Sequence, residues 1–342
     1  MKNVKYDDIL DLDKIITTYH KIMINTKHRS KIFDYNMFYI SNLVSIYNSL
    51  LNKTYSHGKY NIFGITEPKF RIIMSERLPD KIVNHLVSDY VLTPLIEPKL
   101  IEMNVATRKN KGTKAAVNYM KKYLRLMKKE YSNFYILKCD ISKFFYNIDH
   151  EILLSKLSKI ILDKDLYLLI SNMIHSTDLA YVNETILKIK NKYSLEIPLY
   201  EKGKGLPIGN QTSQILAIFY LNDLDHFIKE KLHIKYYSRY MDDFILIHED
   251  KEYLKYCLAK IEKFLEKEKL HLNKKTNIYS IKDGITFIGY RYLFKNNKLM
   301  MLIPSKTKRR IKKRIYRGDT NIKNYNGYLI YGNTKKFCFY NK

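Results

Sequence analysis

The chain has no tryptophan and only three cysteines in 342 residues, and acidic side chains are scarce: 34 Asp and Glu stand against 61 Lys and Arg, a formal charge of +27. Cys139, Cys257 and Cys338 are scattered and lack metal-ligand spacing, which suits a reducing cytoplasm and makes all three structural. No apolar stretch is long enough to span a membrane, and there is no secretory or lipidation motif, so a lipid surface explains the positive charge less well than nucleic acid does. There is also no long low-complexity linker and no repeat at a solenoid period. The abundance of Lys, Ile, Asn and Tyr without Trp reads as the base composition of the coding DNA. What is present is 46% hydrophobic content, enough for a sizeable core, in a length that permits one to three subdomains. The isoelectric point near 9.6 points to a polyanionic partner.

Helical periodicity dominates before residue 60 and in Asp80 to Leu95, Gly112 to Tyr131, His150 to His175, Ser213 to Lys231 and Lys251 to Leu270. Strand-like runs lie at Lys69 to Met74, Phe134 to Cys139, Tyr236 to Tyr240, Phe244 to His248 and Thr286 to Phe294. The expected class is α+β, with helices beside an antiparallel sheet.

The residues that carry chemistry are three carboxylates. Asp140 follows the apolar run Phe134-Tyr135-Ile136-Leu137, and the pair Asp242-Asp243 precedes Phe244-Ile245-Leu246-Ile247. Acidic groups bounded by buried strands repel unless something cationic sits between them. Oxygen ligands suit Mg²⁺ or Mn²⁺, and two such ions about 3.5 to 4 Å apart stabilise the attacking and leaving oxygens of an in-line phosphoryl displacement. Successive strand residues face opposite ways, so the pair is expected in a tight hairpin turn between Ile234 to Tyr240 and Phe244 to His248, which aims at least Asp242 toward Asp140. Taken singly, Asp-Asp is an ordinary polar turn and Asp140 a strand-end cap.

Taken together, they resemble the reverse transcriptase family. Tyr240-Met241-Asp242-Asp243 is similar to its Tyr-x-Asp-Asp motif, Asp140 to Phe145 to its first metal-binding motif, and Gly205-Leu206-Pro207-Ile208-Gly209-Asn210-Gln211-Thr212-Ser213-Gln214 to its nucleotide-pocket motif. Glu67 to Ile73, Arg108 to Thr113, Leu272 to Thr276 and Gly284 to Tyr290 follow the family order as well, from about residue 40 to the C-terminus. The resemblance implies a right-hand polymerase fold: an N-terminal helical extension at 1–60, fingers at 61–135, a palm with the carboxylates at 136–300 and a short basic helical thumb at 301–342.

It also implies roles. Asp140, Asp242 and Asp243 hold two Mg²⁺ ions, or Mn²⁺, with the backbone carbonyl of Ile141. Arg71 and then Lys69, alternating on a fingers strand, contact the incoming triphosphate. Phe145 lies below the sugar and selects deoxynucleotides, while one of Phe144 and Phe145 belongs to the core. Gly209 allows close backbone approach, and Thr212 or Ser213 is the candidate cap of the following helix. Ile208 and Gln214 stand where many viral-type relatives carry Gln and Pro, a pattern similar to reverse transcriptases of diversity-generating retroelements and of phage-defence lineages; losing a Gln beside the nascent pair is expected to lower fidelity. Arg108 grips template or triphosphate. Lys275, with Lys274 beside it, matches a position that protonates the leaving pyrophosphate. Gly284 to Tyr290 matches the primer grip. Lys308, Arg309, Arg310, Lys313 and Arg314 crowd one basic helix that tracks a nucleic-acid backbone, with Tyr325 to Tyr331 as stacking candidates and, more weakly, Lys121, Lys122, Arg125, Lys128 and Lys129 as a second basic face.

The resulting expectation is an RNA-directed DNA polymerase copying a cognate non-coding RNA from a DNA or RNA primer with deoxynucleotides. It would be cytoplasmic, bacterial or phage-encoded, part of a retroelement or an anti-phage system, with an accessory protein among its partners and no membrane. No segment reads as an RNase H or endonuclease domain. The alternatives are a template-independent or protein-assisted polymerase of the same fold, an enzyme copying RNA into RNA, or a binding module with a vestigial site.

Overall fold

The computed structural model describes residues 4–26, 33–66 and 70–317. Its chain contacts separate into two units, each assembled from discontinuous stretches: Met1–Ile101, Ser142–Asp223 and Leu265–Leu270 form the first, and Glu102–Ile141, Leu224–Phe264 and His271–Lys342 the second.

The first unit is mainly helical. Its only sheet among the described residues is the antiparallel pair β1 (Asn61–Ile65) and β2 (Arg71–Ser75), in register from Asn61↔Ser75 to Ile65↔Arg71. Alternation along β2 buries Ile72 and Met74 and leaves Arg71 exposed. The buried side joins Tyr60, Ile62, Val182, Ile186, Ile197 and Tyr200 in one apolar cluster. The helix expected over His150 to His175 is two helices, His150–Ser158 and Lys164–Ile174. Asp163 interrupts it, because its carboxylate accepts the backbone N–H of Leu166 and starts the second helix.

The second unit carries two antiparallel sheets. The first has the order β4-β5-β3-β6, from β3 (Tyr135–Asp140), β4 (Tyr236–Tyr240), β5 (Asp243–His248) and β6 (Asn277–Ser280). The second has the order β7-β8-β9, from β7 (Ile285–Phe287), β8 (Tyr290–Lys295) and β9 (Lys298–Leu302). The expected strand over Thr286 to Phe294 is thus a hairpin. Ile288 and Gly289 both take positive φ, 47° and 80°, as a two-residue turn of the favoured hand requires.

The amphipathic helix Gly112–Glu130 packs on the first sheet. It buries Ala116, Val117, Met120, Tyr123, Leu124 and Met127 at helical spacing, and these meet Phe134, Ile136, Tyr236, Ile245 and Ile247. The same cluster takes in Phe287, Tyr290 and Tyr292 of the second sheet and Ile311 of the basic helix Ser305–Tyr316. One continuous core therefore fixes the strand ends on which the carboxylates stand. The mixed architecture of helices and antiparallel sheets is the expected class. No helix among the described residues is long and apolar enough to cross a membrane.

Candidate active site

Asp140 ends β3 and Asp243 begins β5, and the two are direct partners across the antiparallel ladder. β4 and β5 are joined by the two residues Met241 and Asp242 and closed by the pair Tyr240↔Asp243. Met241 adopts φ 57°, the left-handed start that two-residue hairpins favour, at a cost of about 1 to 2 kcal/mol for a residue with a Cβ. The backbone N–H of Ile141 donates to the Asp242 carbonyl at 3.3 Å, which ties the turn to the end of β3. The hairpin therefore brings the Asp-Asp pair beside Asp140, with Asp242 in the turn and Asp243 already in the strand.

Charge is poorly balanced there. Burial, with Asp140 and Asp242 adding to it, pushes the Asp243 carboxyl up to about 7 against the pull of Lys138. Lys138 Nζ lies 3.5 Å from Asp243 Oδ2 and also donates to the Thr286 carbonyl at 3.0 Å. Asp243 Oδ1 is buried and has no hydrogen-bond partner among the described residues. An Asp243 carboxylate with an orphaned oxygen and one shared ammonium is underpaired, and a hard divalent cation fits the donor set that it forms with Asp140 and Asp242. Asp140, Asp242 and Asp243 would hold it; Ile141, in a bridge with Leu272, supplies backbone beside them.

Two residues that sequence reasoning overlooked hold the turn from behind. Arg239 and Asp225 are fully buried and form a forked ion pair, Nε to Oδ1 at 2.7 Å and Nη2 to Oδ2 at 2.5 Å. Tyr237 donates to the same carboxylate at 2.6 Å. Arg239 Nη1 then donates to the Met241 carbonyl at 2.9 Å, so the guanidinium braces the left-handed residue of the turn. Lys138 was overlooked as well. Its signal was its position two before Asp140, on the same strand face, and that of Arg239 was a charged residue inside an otherwise buried strand.

The turn carrying Lys275 is fastened to the same strand end, for Asn273 N–H donates to the Asp140 carbonyl at 2.7 Å and Asn273 Oδ1 accepts the Lys275 N–H at 3.1 Å. Lys274 and Lys275 are exposed. Arg108 Nη1 donates to the Asn104 carbonyl at 2.9 Å, in a segment paired to Arg239 through Met103 and Val105. In Gly284 to Tyr290, Ile285, Phe287 and Tyr290 are core residues and Ile288 is half-buried, which leaves Thr286 and Gly289 as the exposed positions. Lys308, Arg309, Arg310, Lys313 and Arg314 lie on the helix anchored by Ile311. Lys121, Lys122, Arg125 and Lys129 line one groove with Asn118 and Leu126.

The remaining predicted residues that are described belong to the first unit. Arg71 is exposed at the start of β2. The Met74 N–H donates to the Ile208 carbonyl at 2.9 Å, laying the Ile208-Gly209 segment along that strand. Gly209, at φ 141°, is required there: a Cβ would sit 2.7 Å from the Met74 carbonyl oxygen. Gln214 is exposed. Neither Thr212 nor Ser213 caps the helix Gln211–Tyr220, whose cap position is Asn210. Asn210 donates instead to the Tyr60 hydroxyl, and Thr212 to the buried Asn84 side chain. Phe144 is the core member of its pair and Phe145 is half-buried. Lys69 and Tyr325 to Tyr331 lie outside the described residues.

Residues 56–292 match the reverse transcriptase (RNA-dependent DNA polymerase) family. The chain belongs to that family. Among solved structures, apo telomerase from Candida tropicalis, truncated from its C-terminal domain, aligns with 76% of this chain and 59% of its own at 15% identity and a TM-score of 0.48. Telomerase from Candida albicans in complex with a telomeric RNA fragment aligns with 73% and 46% at 16% identity and a TM-score of 0.46. The chain spans about half the length of these solved structures. No curated protein matches the sequence. The reverse transcriptase match covers all three carboxylates, β1 to β7 and the Gly205 to Gln214 segment.

Proposed function

We propose that this reverse transcriptase chain is an RNA-directed DNA polymerase that extends a DNA or RNA primer with deoxynucleotides on a template RNA. The observation that carries the reading is the convergence of Asp140, Asp242 and Asp243 at paired strand ends, with one carboxylate oxygen buried and unpartnered. Two Mg²⁺ ions, or Mn²⁺, supply when bound the stabilisation of the attacking and leaving oxygens in phosphoryl transfer. The chain's own part is to hold and orient. Asp140, Asp242 and Asp243 present their oxygens beside the Ile141 carbonyl; Arg239 keeps the turn in shape; Lys275 gives a proton to the leaving pyrophosphate. Arg71 and Lys69 bind the triphosphate, Phe145 excludes a 2′-hydroxyl, and Ile208, Gly209 and Gln214 shape the surface facing the nascent pair.

The segments 1–60, 61–135, 136–300 and 301–342 serve as extension, fingers, palm and thumb, and Arg108 with the basic helix tracks the nucleic-acid backbone. The template is a cognate non-coding RNA in a bacterial or phage-borne retroelement or defence system in the cytoplasm. Motif character supports this, since Ile208-Gly209 and Ser213-Gln214 follow the pattern of those lineages. The test is primer extension by the purified chain on a defined RNA, with template and product sequenced. Templated DNA lost in Asp242→Ala, with RNA binding retained, supports the reading. Untemplated product, ribonucleotide product or full activity in Asp242→Ala refutes it. Adenine-mutated copies indicate diversification, and repetitive product indicates defence.

A further inference from the structure

His150, His175 and Asp178 converge in the first unit. One nitrogen of each histidine and one Asp178 oxygen lie within 4.8 Å of one another. His150 opens the helix His150–Ser158, and the other two occupy the turn His175–Asp178. The His150 and His175 rings stand edge to face at 4.9 Å.

Each side chain has one polar atom pinned by backbone, which fixes where its lone pair points. His150 Nε2 is 2.7 Å from the Gly205 carbonyl. A carbonyl only accepts, so Nε2 carries the proton and Nδ1 the lone pair. His175 Nδ1 is 2.8 Å from the Ser171 carbonyl, so by the same argument its lone pair is on Nε2. Asp178 Oδ1 accepts the Gly203 N–H at 2.9 Å, and Oδ2 faces His150 Nδ1 at 3.6 Å. His150 is 1% exposed, and its Nδ1 is buried without a hydrogen-bond partner among the described residues. This is the arrangement of oriented metal ligands, in which the second atom of each is held by an outer partner.

We propose that His150 Nδ1, His175 Nε2 and Asp178 Oδ2 form a second metal site, for a borderline cation of the Zn²⁺ class, independent of the catalytic carboxylates. Two imidazoles and one carboxylate suit Zn²⁺, with water completing the coordination. Bond lengths of about 2.0 to 2.2 Å call for only small rotations of the exposed His175 and half-buried Asp178. Its role is structural. The outer partners are Gly203 and Gly205, Thr177 Oγ1 also donates to the Gly205 carbonyl at 3.1 Å, and the chain then enters the Gly205 to Gln214 segment. A cation here locks the base of that segment.

The experiment uses the full chain after chelator treatment, in the Asp140→Asn/Asp242→Asn background so that binding by the catalytic carboxylates does not contribute. Zn²⁺ is titrated calorimetrically and Co²⁺ by its visible absorption. The expected result is one equivalent of either ion, a Co²⁺ spectrum of nitrogen ligation, and slower amide hydrogen exchange at Gly203 and Gly205. His175→Ala changes an exposed residue and is expected to fold normally. Its Zn²⁺ affinity should fall by at least about tenfold, as should that of Asp178→Asn. No stoichiometric binding, or binding unchanged in either variant, overturns the proposal.

Discussion

Replacing Asp243 with Asn should stabilise the metal-free protein, and the gain should depend on pH. The wild-type carboxyl is displaced from 3.8 to about 7, first by burial. At about 1.4 kcal/mol per pH unit, the ceiling is about 4 kcal/mol. The side chain is 27% exposed, and solvent screening brings the expected value to about 2 kcal/mol. Because the folded pKa lies above the unfolded one, the folded chain binds more protons between pH 4 and 7. The stability associated with this group is therefore present below about pH 4 and is lost as pH rises through about 7. Asn cannot ionise, so Asp243→Asn escapes that loss. Chemical denaturation of both proteins in chelator, at steps from pH 4.5 to 8.5, should show the variant's advantage growing to about pH 7 and then levelling. Added Mg²⁺ at pH 8 should raise wild-type stability more than that of the variant, since cation binding favours the ionised carboxylate. A stability difference that does not change with pH, or equal Mg²⁺ stabilisation, would refute the account of the site as short of positive charge.

Arg239→Met should destabilise by about 3 to 5 kcal/mol, by stranding the buried Asp225 charge; Arg239→Met/Asp225→Asn should recover much of that stability while primer extension stays low, because the Met241 carbonyl still lacks its donor. Gly209→Ala should raise the KM for deoxynucleotide and lower the Tm, since the new Cβ meets the Met74 carbonyl. Ile208→Gln should reduce misincorporation in sequenced products, and an unchanged error spectrum would sink that role. Charge removal at Lys308, Arg309 and Lys313 should lower the slope of log affinity against log salt by about 1 per lost phosphate contact, measured by RNA binding at several ionic strengths.

The carboxylate strands were legible because their apolar runs and the Asp-Asp break are local signals. Burial on both faces makes Ile136-Leu137 and Phe244 to Ile247 continuous hydrophobic segments, which read as strand without knowledge of their neighbours. β1, β6 and β9 were not read, being short and polar or half-buried. Asn296-Asn297, both at positive φ, was the hairpin signal that would have exposed β9. The helix Ala180–Tyr193 was missed because only Val182 and Ile186 are buried on it, too sparse a stripe to show periodicity. Asp225, fourteen residues before Arg239, could not be matched to it from the sequence, because the pairing exists only once the helix Asn222–His226 and β4 are folded together.

One buried and one half-buried acid in the second unit, Asp225 and Asp243, meet their desolvation in opposite ways, and the contrast bears on function. Asp225 accepts from Arg239 twice and from Tyr237 once, so its charge is satisfied within the fold and its work is to hold Arg239. Asp243 has one ammonium at 3.5 Å, shared with a carbonyl, and an oxygen with no partner. If structural stability alone governed this strand end, a neutral residue at 243 would serve better, since an underpaired, partly desolvated carboxylate costs free energy. The fold instead spends a fully satisfied ion pair on bracing the turn that holds Asp243 and Asp242 beside Asp140. A rigid frame around an electrostatically incomplete cluster is what a site for exchangeable divalent cations requires, whereas a purely structural hairpin turn would need neither the brace nor the deficit.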